Sequence, residues 1–198
     1  MPAAVNRRVA GDTPAATSAF TLIELLVVIA IIIVLAGLTL STMGYVQKKG
    51  ARARAETQIS AMSVACESYK ADNAIYPSNP DTDGLNPTDT NLSDYLMPCR
   101  YMYGELTGDR DFDGATDAGS RSYLSLKASS LLRNDMSNPP SSSNQVTAIR
   151  DSFGNSYGYS TAKASNPSGT VGYNPTFDLW SIASANPASD QNQWIKNW

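Results

Sequence analysis

Four carboxylates recur along Asp109-Arg-Asp111-Phe-Asp113-Gly114-Ala-Thr-Asp117, at positions 1, 3, 5 and 9 of a run with glycine at position 6. That is the spacing of a calcium loop: a hard divalent cation takes roughly six to eight oxygens, and alternating aspartates in a turning segment converge on one point. Position 12 is Ser120, where glutamate would supply two oxygens, and no helical pattern flanks the run. The run therefore reads as a looser cation site than an EF-hand, the alternative being a solvated acidic loop. A different chemistry attaches to Glu24, the single charge between Phe20 and Gln47. An acid inside so apolar a stretch costs about 2.5 to 3.5 kcal/mol at a membrane helix centre, which makes it functional by default and calls for a cationic partner. Catalysis has little to work with. The chain has no histidine, which removes the usual general base and the commonest zinc ligand, and it carries no glycine-rich phosphate loop. Nor does any basic patch interleave with aromatics, so a nucleic-acid partner has no electrostatic footprint.

The element that must position Glu24 is Phe20 to Leu40, apolar apart from Thr21, Glu24 and Thr39, with Gly37 the one turn residue inside it. Roughly 20 such residues cross the ~30 Å hydrocarbon core as a helix, and lipid forces a helix because the backbone must bond to itself there. The order of flanking features is inverted relative to a secretory signal. Small residues Ala15-Ala-Thr-Ser-Ala19 come before the apolar run, whereas a signal peptide's cleavage site follows it. This order predicts a leader, residues 1–19, removed before Phe20 so that the apolar helix stays on the mature protein. Arg7 and Arg8 then hold the leader inside and send the remainder outward.

Phe20-Thr-Leu-Ile-Glu24-Leu-Leu-Val-Val-Ile-Ala-Ile resembles the N-terminal methylation motif of type IV pilins and type II secretion pseudopilins. The resemblance implies cleavage by a membrane aspartic peptidase between Ala19 and Phe20 and methylation of the new amine. It also implies pairing of Glu24 with the terminal amine of a neighbouring subunit. The residue before the cut is usually glycine in that family and is Ala19 in this chain. Two further segments resemble the major pseudopilin branch: Asp151-Ser-Phe-Gly-Asn-Ser-Tyr-Gly-Tyr159 and Phe177-Asp-Leu-Trp-Ser181, with Ser152 and Phe153 where the family has Pro and Trp. That branch carries calcium in the loop after its last strand, so the resemblance implies a second candidate, Ser181 with Asp190. Asn186 stands there where an aspartate is usual, leaving one carboxylate.

Beyond Leu40 nothing interrupts a helix until Pro77, and Ala55, Ile59, Met62, Cys66 and Tyr69 form a stripe at spacings of three and four. One helix is expected from about Thr21 to about Ala74, on the order of 80 Å long. Ile75 to Pro80 stops it, a short helix is expected over Leu92 to Leu96, and strands over Ser122–Leu126, Ser156–Ser160 and Thr176–Ile182. The fold class is α+β, a long helix covered by a small antiparallel sheet, divided as leader 1–19, membrane and polymerisation helix 20–47, and outer domain 48–198. Removing Arg7, Arg8 and Asp12 with the leader leaves 13 positive and 17 negative side chains in the mature chain.

Cys66 and Cys99 fall outside the cytoplasm in this topology, where disulfides persist. A bridge between them would add about 3 to 4 kcal/mol on the chain-entropy argument. A bridge is expected because Cys66 lies on the stripe that the later loop must cover; two free thiols are the alternative. The expected role is a non-enzymatic subunit of a type II secretion pseudopilus at the bacterial inner membrane, its domain in the periplasm. Its partners would be copies of itself, prepilin peptidase, the secretion platform and minor pseudopilins. The rivals are a type IV or competence pilus subunit, and a membrane-anchored calcium-binding or adhesive domain that never polymerises.

Overall fold

The computed structural model describes residues 20–184 and 190–198. The chain divides at Gly44 into an N-terminal unit and a larger one, Tyr45–Trp198. α1 runs over Leu22–Asn73 and so belongs to both. Its start is written in the sequence. Thr21 accepts at Oγ1 from the Glu24 backbone N–H (3.3 Å), while Glu24 Oε2 accepts from the Thr21 N–H (3.2 Å) and hydroxyl (3.1 Å). This reciprocal capping box satisfies donors that the first helical turn leaves without partners.

In the N-terminal unit the helix buries none of its apolar window. From Leu22 to Gly44 it rises about 35 Å, enough to cross a bilayer by length and composition. Thr39, its one described hydroxyl beyond Thr21, donates to the carbonyls of Leu35 and Ala36 (3.1 and 2.9 Å), so even that group is satisfied inside the helix.

In the larger unit α1 buries the expected stripe, Ala55, Ile59, Met62 and Cys66, with Ala65 added and Tyr69 at its edge. It ends where Ala74 takes a left-handed conformation (φ 65°), its N–H bonded to Lys70 O. A short α2 follows, Pro80–Gly84, capped by Asn79. The short helix expected over Leu92 to Leu96 is a 3-10 turn, Leu92–Tyr95, capped by Asn91, and it leads straight into α3, Leu96–Thr107, a helix the sequence reading does not contain. Its buried Cys99, Met102, Tyr103 and Leu106 are spaced by three and four, a stripe that Pro98 and Gly104 disguise in the sequence.

The strands are short: β1 Leu131–Arg133, β2 Val146–Ile149, β3 Gly158–Ser160, β4 Asp178–Ser181 and β5 Ile195–Lys196. β1 pairs antiparallel with β2, and β3-β4-β5 form a second antiparallel sheet. A bridge between Arg150 and Ser156 joins β2 to β3. The expected strand over Ser122–Leu126 is not formed. That segment is irregular, and the Tyr123 and Leu124 amides both donate to Leu106 O. The strands at 156–160 and 176–182 are present, and a short α4, Ala162–Ser165, follows β3. The α+β layout of a long apolar helix with small antiparallel sheets is the one observed.

The main core joins the α1 stripe, α3 and the inner strand residues Leu131, Val146, Ile149, Tyr157, Tyr159 and Leu179. A second cluster, Leu85, Tyr95, Trp180, Ile182 and Trp194, covers the other face of β4. All four β4 residues are buried in consequence. Gly158 is required there, because a Cβ would lie 2.1 Å from the Trp180 ring.

The expected Cys66–Cys99 bridge is not formed. Both are buried free thiols, because each faces a different strand. Cys99 Sγ accepts from the Ile149 N–H (3.3 Å) at β2, whereas Cys66 lies against Tyr159 of β3.

Candidate functional site

The acidic loop is built on the end of α3, which closes at Gly108 with φ 71°. Asp109 turns inward and is buried. Its carboxylate accepts from the Tyr103 hydroxyl (2.5 Å) and from the backbone N–H groups of Asp113 (3.1 Å) and Gly114 (2.8 Å). Burial first, and the Asp109 carboxylate second, push the Tyr103 phenol well above its ordinary range, so it remains a donor. Asp109 thereby folds the loop around itself. Gly114, at φ 93°, permits the turn; a Cβ there would meet Pro140 at 2.5 Å. Phe112, also left-handed at φ 62°, places its carbonyl to receive the Val146 N–H (2.8 Å), and Gln145 Nε2 holds Asp111 O (2.8 Å). The loop is thus pinned to the start of β2.

The fold brings Asp109, Asp111 and Asp117 together, with one carboxylate oxygen from each lying within 4.8 Å of the others. Oxygens on opposite sides of one calcium ion stand about 4.6 to 5.2 Å apart, so three oxygens within this bound are close enough to share one ion. Asp117 Oδ2 accepts from the Arg110 N–H (3.0 Å), and the Arg110 guanidinium is drawn off to Glu105 (3.3 Å). The expected fourth ligand, Asp113, is not in the group; its Oδ1 caps the Ala115 N–H (2.9 Å). A helix does precede the loop, contrary to the sequence reading, while irregular chain follows it. Any further oxygens would come from backbone carbonyls or water.

The second candidate fares differently. Ser181 is fully buried in β4, its hydroxyl donating to Asp151 Oδ2 (2.6 Å) and accepting from the Ala183 N–H (2.9 Å). It is committed to the sheet and is withdrawn from the tail. Asp190 accepts from Gln193 Nε2 (2.6 Å). Asn186 lies outside the described residues, as does Ala19 at the expected cleavage point.

Asp151 opens the segment that resembles the pseudopilin turn, but its tie to Ser181 is visible only in the fold. Its Oδ1 caps the Phe153 and Asn155 amides (2.9 and 2.8 Å) in the β2–β3 turn, and its Oδ2 reaches Ser181 in β4. Burial pushes its pKa up, against the lowering effect of these donors. Asn155 Nδ2 adds a bond to Ala183 O (3.1 Å). The turn at 151–155 and the strand at 178–181 are therefore fastened together by one buried carboxylate.

At the head of α1, Phe20 is exposed and one residue outside the capping box. Glu24 Oε2 is occupied by Thr21. The T-x-x-E spacing that signals this box, Thr21 to Glu24, lies inside the pilin-like motif. No protein-family model, curated protein or solved structure matches this chain.

Proposed function

We propose that this chain is a pilin-like structural subunit, cleaved before Phe20, methylated there, and polymerised through its N-terminal helix. The observation that carries this reading is a helix whose first part holds an unburied apolar window of membrane-spanning length and opens on a capping box whose acid is its only charge before Lys48. Among the described residues of its own unit nothing covers that face, which lipid or like helices would cover. In this reading the filament is a short type II secretion pseudopilus at the bacterial inner membrane, with the domain in the periplasm. A type IV or competence pilus uses the same chemistry and differs in its neighbouring genes. Arg7 and Arg8 favour this orientation, while Lys48, Lys49, Arg52 and Arg54 on the far side oppose it, so a reporter fused after Trp198 measures the outcome.

The Asp109, Asp111 and Asp117 triad takes a divalent cation in this reading, calcium being the one suited to an all-oxygen, flexible donor set. The deciding experiment is mass spectrometry of the mature N-terminus from membranes of cells with an active prepilin peptidase. A methylated Phe20 terminus is expected; an intact leader refutes the proposal.

A further inference from the structure

Two oppositely charged hollows are built from different elements of the larger unit, and no residue lining either is in an ion pair among the described residues. The first is a groove of about 720 Å³ between α1 and the entry to β1, lined by Arg54, Lys127 and Arg150 among hydroxyls such as Thr57, Ser129 and Ser130. None of the three cations has an ion pair or a side-chain hydrogen bond among the described residues. Four other cations of the unit are committed: Arg52 to Glu56, Arg110 to Glu105, Arg121 to Asp72, and Arg133 to backbone carbonyls. Asp151, the groove's one acid, has both oxygens occupied by donors of the β2–β3 turn and β4.

The second hollow, of about 460 Å³, is lined by Asp81, Asp89 and Asp94 with no cation among its lining residues. It is carried by α2 and the segment leading to α3, which packs through Leu85 and Tyr95 on Trp180 and Trp194 and is tied to the C-terminal segment by Gln191 Nε2 on Thr88 O (3.3 Å). The basic groove takes its lining from α1, the residues before β1 and the β2–β3 turn, and the acidic hollow from α2 and the segment into α3, so the two share no residue.

We infer that the basic groove of one copy receives the acidic hollow of a second copy, an interface additional to any packing of the N-terminal helices. Three positive groups facing three negative ones is the complementarity that steers association and fixes register, while groove against groove repels. The contact is heterologous, and a heterologous contact that does not close on itself propagates as a helical row. It draws its partner, a second copy, from the proposed polymer, yet it has its own residues and its own failure.

The test uses the full chain in detergent, in the Glu24→Ala background so that helix pairing does not contribute, with tagged and untagged copies mixed. The basic face is reversed by Arg54→Glu with Lys127→Glu, and the acidic face by Asp81→Lys with Asp94→Lys; all four are exposed and outside any ion pair among the described residues, Asp81 and Asp94 accepting only from the amides of Asn79 and Asn91. Unreversed copies should copurify, with recovery falling about ten-fold or more as salt rises from about 0.05 to about 0.5 M, where screening shortens to a few ångströms. Each reversed form should fail to copurify with itself, and a mixture of the two should recover. Reversed forms that associate like the unreversed chain overturn the inference. So does failure of the mixture to recover when thermal melting shows both forms folded. Recovery in the mixture alongside an uncleaved leader in cells would leave this interface standing and sink only the processed-subunit reading.

Discussion

Glu24 has two separable duties, and one pair of substitutions divides them. As a cap it accepts two bonds from Thr21 through Oε2, and Thr21 answers with one in return. A cap of this kind contributes about 1 kcal/mol to the helix start, and glutamine makes the same box as glutamate. As a charge it would meet the Phe20 amine of a neighbour in a desolvated setting. Leaving one member of a buried pair alone costs about 3 to 5 kcal/mol, several times the cap. Glu24→Gln keeps the cap and removes the charge; Glu24→Ala removes both. If the charge governs assembly, the two variants should be cleaved and inserted alike, and both should lose filaments to a similar degree, since roughly 3 kcal/mol is more than a hundred-fold in an equilibrium constant. Filament yield in sheared fractions, scored beside the N-terminal mass, reads the result. Glutamine filaments at the unmutated level with alanine filaments lost would refute the charge argument and assign Glu24 to capping. Unmutated yields from both would leave the residue no part in assembly.

Calcium should raise the melting temperature of the full chain, and Asp111→Ala should abolish that rise, because Asp111 is an exposed ligand whose loss leaves the loop's own scaffold in place. Asp109→Ala is the wrong probe: it orphans the buried Tyr103 hydroxyl, destabilising by about 1 to 3 kcal/mol with or without the ion. No calcium response in the unmutated chain, or a response that survives Asp111→Ala and vanishes in Asp190→Ala, refutes the triad. The two thiols, pushed up by burial to about 12 at Cys66 and about 11 at Cys99, should resist maleimide in the native chain, and both should react on unfolding without reductant. Zero thiols in the unfolded, unreduced chain would restore the bridge. Asp151 has a folded pKa above its unfolded one, so it holds its proton more tightly when folded. Its contribution is complete below the unfolded value and is lost as pH rises through the folded one. Asp151→Asn, which keeps the acceptor for the Phe153 and Asn155 amides, should flatten that part of the stability curve in melts taken across acid pH; an unchanged slope refutes the assignment.

Period and punctuation were legible in the sequence. The helix from Leu22 to Asn73, its membrane-compatible half, the stripe through Ala55, Ile59, Met62 and Cys66, and the strands around Tyr159 and Leu179 follow from spacing and from the wait until Pro77. These are local properties, set by backbone geometry and by which side chains share a face. The aspartate spacing also announced a converging loop, but not which oxygens converge. That was decided by Asp109, whose burial under Tyr103 takes two loop amides and leaves Asp113 to cap Ala115. The same holds for the cysteines: sequence placed one on a stripe and one in a later segment, while the packing of α3 on β2 sent Cys99 to Ile149 and away from Cys66. Asp151 and Ser181 lie 30 positions apart and meet only because β4 lies beside β3. A hydrogen bond between distant residues depends on register, and register is fixed by the whole sheet and its core, so no window of sequence contains it.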